Sequence, residues 1–261
     1  MQRPLLNGNE ILALAIALCT GLGVVTMQRE KLQAQAANQP QTQQFYRREE
    51  RQIKTSVTLL KNLPSLGYDN LVANWAFLNF IQYFGDDSAR AVTGYPVSPD
   101  FFEVVVERDP LFLNMYPYLS SSVTLFAGNP TKTIDLLSQG IEAMPPALQA
   151  EAYFLWQSKA TDELLFLGDP QAARQSYLNA AQWASQSEDP EYQAIAARSR
   201  ATAEFLATNP DSRNARVAAW FNILAGAIDD KTRAIAVQQI QDLGGKIIQH
   251  NGQFRITFPE S

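Results

Sequence analysis

From residue 69 onward, apolar residues recur at spacings of three and four, in runs broken by Gly, Asn and Pro. That period predicts amphipathic helices joined by short turns, and an all-α body over 69–245. Its last three helices are expected over 191–208, 212–228 and 230–243, as terminal units that cap a stack. The pattern changes at the carboxyl end. Lys246-Ile-Ile-Gln-His, then Asn251-Gly252, then Gln253-Phe-Arg-Ile-Thr-Phe alternate with the two-residue period of strands, and an Asn-Gly pair between such runs predicts a small β-hairpin over 246–261.

The amino end differs again. Ile11 to Gln28 is eighteen residues without a charge, which as a helix would span about 27 Å, close to a bilayer core. It predicts an N-terminal transmembrane helix, a membrane anchor over 1–28, in a single-pass membrane protein. A cleaved signal peptide is the alternative, with Ala34-Gln35-Ala36 as its small-x-small site, although Arg29, Glu30 and Lys31 intervene. Leu18 stands where lipoprotein processing before Cys19 would need a small residue. Basic residues flank both ends of the span, so the side of the membrane that holds the body stays open.

Charge adds to this picture. Residues 33–44 are Gln- and Ala-rich with no charge or aromatic ring, and Arg47, Arg48, Arg51 and Lys54 follow. The first 28 residues are neutral, 29–54 hold six basic and three acidic residues, and the chain totals −5, which leaves −8 on the body. Residues 29–68 therefore read as a tether and a basic juxtamembrane segment. Its 47–54 stretch either lies on anionic lipid or is an ordinary solvated helix face. An acidic body excludes nucleic acid as the main partner. One Cys and one His exclude a disulfide framework and a Cys/His zinc site, and no metal or other cofactor is expected.

The body contains an internal repeat. Leu125-Phe-Ala-Gly-Asn-Pro-Thr-Lys-Thr-Ile-Asp-Leu-Leu-Ser-Gln-Gly-Ile overlays Leu165-Phe-Leu-Gly-Asp-Pro-Gln-Ala-Ala-Arg-Gln-Ser-Tyr-Leu-Asn-Ala-Ala, with Gly128 on Gly168, Pro130 on Pro170, Thr133 on Ala173, Leu137 on Tyr177 and Gly140 on Ala180. This is a helix, a Gly turn, and a second helix whose small residues admit its partner. The unit resembles the tetratricopeptide repeat (TPR), and Pro110 and Pro145 stand 35 residues apart, near that family's period. The resemblance covers roughly residues 69–190. The run Leu71-Val-Ala-Asn-Trp-Ala-Phe-Leu-Asn-Phe-Ile-Gln-Tyr-Phe-Gly85 is similar to the opening helix of bacterial, membrane-anchored TPR-like proteins, which often have Asp where this chain has Asn74. The Gln-rich tether and this Trp-helix look cyanobacterial.

The resemblance implies a helical-hairpin repeat solenoid whose first helices line a concave protein-binding face. It places Val72, Trp75, Asn79, Gln82 and Tyr83 there from the first pair, Tyr118 and Ser122 from the second, and Ser158, Lys159 and Asp162 from the third. Asn79 and Lys159 match in type the clamp that chaperone-docking TPR domains close on a peptide carboxylate. Trp75, Leu119 and Leu155 stand where that clamp is polar, which disfavours such a ligand. The implied function is a non-enzymatic scaffold or assembly factor for subunits of another membrane protein complex, with a photosynthetic complex of the thylakoid as the client. A periplasm-facing scaffold for cell-wall or secretion machinery is the alternative. A hydrolase using Asp86-Asp87 and Asp229-Asp230 is the remote one, because both pairs stand at expected helix starts, where carboxylates cap. No P-loop, HExxH or CxxC occurs, and His250 beside the hairpin turn has no nucleophile near it in sequence.

Overall fold

A computed structural model of the chain describes residues 42–208, 210–250 and 253–258. The expected anchor over 11–28 lies outside the described residues. Among the described residues no helix is long and apolar enough to cross a membrane. Tyr46–Ser261 forms one compact unit.

The spacings of three and four produce α1 (Gln43–Asn62), α2 (Asp69–Phe84), a short α3 (Asp87–Thr93) and α4 (Ser98–Arg108). Next come α5 (Tyr116–Leu119), prolonged by a π-helical turn over Ser120–Phe126, α6 (Pro130–Glu142) and the one-turn α7 (Pro146–Gln149). Then follow α8 (Tyr153–Asp162), prolonged by a second π-helical turn over Glu163–Leu167, α9 (Pro170–Ala184), α10 (Pro190–Ala207), α11 (Arg213–Gly226) and α12 (Asp230–Asp242). Helix starts follow local chemistry. Asn129 accepts from the Lys132 amide at 3.2 Å, Asp169 from Ala172 at 2.9 Å and Asp189 from Glu191 at 2.8 Å, each just before a Pro that has no amide to leave unpaired. The hairpin forms as its alternation predicts: β1 (Lys246–His250) pairs antiparallel with β2 (Gln253–Thr257), Lys246 opposite Thr257 and His250 opposite Gln253.

The basic segment is more than a tether. Ile53, Val57 and Leu60 give α1 an inner face that packs on the main core. Lys61 pairs with Glu103 and Glu107 of α4 at 2.9 and 3.1 Å. Arg108 then ties the α1–α2 link, donating to the carbonyls of Lys61 and Leu63 at 2.8 and 2.6 Å and pairing with Asp69 at 3.0 Å. Interleaved charges hide this inner face in the sequence.

Helix α2 lies antiparallel to α4, since Asp69 meets Arg108 at one end and Tyr83 accepts from the Val97 amide at the other. Each second helix then contacts both its own partner and the next pair: α4 meets α6, α6 meets α8, α8 meets α9 and α9 meets α10. Phe80, Phe101, Phe102, Tyr116, Leu119, Leu136, Leu137 and Leu155 form the core between them. The last two helices do not continue the stack on α10. They fold back over the π-helical turns, where Val217, Trp220, Leu224 and Ile240 bury Phe166, with Leu125 and Leu165 packed alongside. Thr232 donates to the Phe126 carbonyl at 2.9 Å, and a Cβ on Gly128 would come within 2.6 Å of Ile235. The bare Gly128 turn gives α12 a surface to lie on, and the Gly168 turn faces Arg216 of α11.

Candidate functional site

The two sequence-related units fold alike. Both π-helical turns end in a left-handed glycine, Gly128 at φ +66° and Gly168 at φ +71°, where an L side chain would be strained. The Asn or Asp cap and the Pro follow in each, and Thr133 and Ala173 are fully buried at the equivalent positions. At Gly140 the helices touch: a Cβ there would lie 2.0 Å from the Tyr116 hydroxyl, and the matching residue of the next unit is the small, buried Ala180.

This geometry sets the first helices side by side. Phe77 of α2 meets Tyr118 of α5 edge-on at 5.4 Å. Ser120, in the turn after α5, donates to Asp162 of α8 at 2.8 Å, and Gln157 of α8 donates to Ser199 of α10 at 3.0 Å. The residues expected on the binding face are distributed unevenly along this row. Tyr118 is exposed, while Ser158 and Lys159 are half-buried. Tyr83, Ser122 and Asp162 are buried: Tyr83 lies under the Arg90 guanidinium at 3.7 Å, Ser122 donates to the Tyr118 carbonyl, and Asp162 accepts from Ser120. Trp75 and Gln82 are exposed, and Val72 and Asn79 are half-buried. At about 100° per residue these four stand roughly 140–160° around α2 from Phe77. They therefore occupy the flank turned away from Tyr118, and the structure does not join them to it in one groove.

The row also buries polar chemistry that the sequence pattern does not signal. Glu163 is 4% exposed, accepts from Ser176 of α9 at 2.7 Å and pairs with Lys159, which lies 5.7 Å from the Trp156 ring centre. Thr124 donates to Thr133 at 2.9 Å. Burial pushes the Asp162 carboxyl up to about 7, helped by the neighbouring Glu163 and opposed by the hydrogen bonds of Ser120 and Thr124. Serine, threonine and a lysine bind the two carboxylates into the interfaces between α5, α8 and α9. The set joins helices. Between the two π-helical turns and α11 lies an apolar hollow of about 280 Å³, lined by Leu125, Phe126, Phe166, Ala219 and Ile223, with Asn222 as a polar member.

The outer face of α2 has a different character. Leu71, Trp75, Leu78 and Ile81 are exposed, Trp75 by 57%, and no residue of α2 after Asp69 is charged. Leu59 near the end of α1, Leu63 just after it, and Leu66 and Tyr68 in the link are exposed as well. Leu66 is 85% exposed and has φ +51°, a backbone that bulky side chains rarely adopt. Of the fifteen large apolar side chains exposed among the described residues, eight fall between 59 and 81, and Leu71, Trp75 and Leu78, spaced four and three apart, share one face of α2.

The acidic pairs cap helices. Asp86 accepts from the Ala89 amide at 3.2 Å and Asp229 from the Thr232 amide at 2.8 Å, while Asp87 is exposed and Asp230 pairs with Arg233 at 2.9 Å. Among the described residues no three His, Cys, Asp or Glu side chains converge on a metal-sized site. Comparison with protein-family models, curated proteins and solved structures finds no match to this chain.

Proposed function

We propose that the chain is a non-enzymatic scaffold or assembly factor of TPR-like build, anchored in a membrane through residues 11–28, that holds subunits of another membrane protein complex against its row of first helices. The observation that carries this reading is the serial packing of α2, α5 and α8 through Phe77–Tyr118 and Ser120–Asp162, which sets helix pairs in an extended row of the kind helical repeats use for partners. Tyr118, Ser158 and Lys159 are its accessible members. A photosynthetic-membrane complex is the client that the resemblance of the Trp-helix favours. Asp86 and Asp229 each cap a helix, and Asp162 and Glu163 each accept a bond from another helix, which supports a binding role.

The test is affinity purification of the tagged, full-length protein from its native membranes in mild detergent. A Tyr118→Glu variant and a chain lacking residues 1–28 are purified beside it. Recovery of one membrane complex, lost with Tyr118→Glu at unchanged helical circular dichroism and weakened without 1–28, is the expected result. No reproducible protein in any sample overturns the scaffold reading.

A further inference from the structure

The exposed apolar residues of α1, α2 and their link stand beside basic side chains. The α2 part of this surface carries no charge after Asp69, with a tryptophan at its centre. A left-handed Leu66 holds an apolar side chain almost wholly in solvent. The helix that leads into the patch carries Arg47, Arg48, Arg51 and Lys54, all exposed and none in an ion pair with a described residue. Arg48 and Leu59, eleven residues apart, stand about 20° from one another around α1, so basic and apolar residues share its outer face. Basic side chains flanking Leu, Trp and Tyr are what the boundary between anionic headgroups and acyl chains accommodates. The net negative charge of the body disfavours a general attraction to anions, so any such attraction needs a local run of basic residues such as the one at this corner.

We propose that this corner is a lipid-binding surface: Leu66, Leu71, Trp75 and Leu78 enter the outer acyl region of a bilayer while Arg47, Arg48 and Arg51 meet anionic headgroups. The inference rests on the membrane attachment proposed above. Residues 29–41 can span at most about 45 Å, which bounds how far Arg47 and Arg48 at the start of α1 can stand from the end of 11–28. The lipid contact orients the body, leaving Tyr118 on the opposite flank of the row for the client.

The test uses the full chain with Cys19→Ser and a single labelled cysteine, Leu78→Cys or, as a control on exposed α10, Ala201→Cys. Each carries an environment-sensitive fluorophore and is reconstituted one copy per nanodisc of phosphatidylcholine with or without phosphatidylglycerol. The expected result is a blue shift and loss of intensity by nitroxide-labelled lipid at 78 but not at 201. This loss is greater with phosphatidylglycerol and reduced by Arg48→Glu with Arg51→Glu. A chain that incorporates but keeps the 78 label water-exposed overturns the lipid contact and leaves the anchor standing. A blue shift at 78 without lipid quenching also overturns it, in favour of a protein neighbour. A chain that does not associate with lipid at all overturns both.

Discussion

Gly140 offers a direct test of how closely the two helices of a repeat approach. An alanine methyl there would fall 2.0 Å from the Tyr116 hydroxyl oxygen and 2.5 Å from the ring carbon that bears it. Tyr116 is 1% exposed and donates to the Pro110 carbonyl at 2.9 Å, so it has no vacant direction in which to move. In an open helix, Gly→Ala would stabilise by up to about 1 kcal/mol. Against that stand overpacking of about 1–3 kcal/mol and loss of a hydrogen bond of about 1 kcal/mol, so Gly140→Ala is expected to destabilise by about 1–3 kcal/mol net. Urea denaturation followed by far-ultraviolet circular dichroism measures it. Tyr116→Phe removes the nearest atom, so the cost of Gly140→Ala should shrink in that background. If Gly140→Ala instead raises stability, the helix alone governs that position and the close α5–α6 contact is refuted.

Further expectations follow from the buried polar set. Asp162 has a carboxyl held above its unfolded value by burial, so its contribution to stability is present below about pH 4 and is lost as pH rises through about 7. Asp162→Asn should abolish that part of the pH dependence and gain most, relative to the parent, at pH 8; equal slopes for the two proteins would contradict the assignment. Glu163→Ala leaves Lys159 without its partner and Ser176 without its acceptor, and should cost about 2–4 kcal/mol in the same assay. Arg108→Ala should release the α1–α2 link, seen as faster amide exchange confined to residues 61–72, at a cost of about 1–3 kcal/mol.

Much of the architecture is legible in the chain because its determinants are local. The last three helices lie within two residues of their expected bounds, and the Asn-Gly pair places the hairpin. The Gly-Asn/Asp-Pro triplets mark both turns because each residue has a separate steric or capping role there. What escaped depends on contacts distant in sequence. Nothing near Ile235 states that it will rest on Gly128, so the fold-back of α11 and α12 is invisible beforehand. Asp162 is expected on an open binding face and Glu163 draws no expectation at all, because their burial depends on Ser120 and Ser176, contributed by other helices. Which flank of α2 meets α5 is decided by Phe77 packing on Tyr118. That choice turns Trp75, Asn79 and Gln82 to the far side and makes Trp75 part of an apolar patch rather than of a groove with Tyr118.

The scaffold reading is tested most directly by placing a photo-crosslinking amino acid at position 118 in the full-length protein and irradiating intact native membranes, with position 201 on α10 as the control. One discrete adduct is expected at 118, containing a subunit of a membrane complex and absent at 201. Adducts that are absent at 118, or the same at both positions, would contradict it.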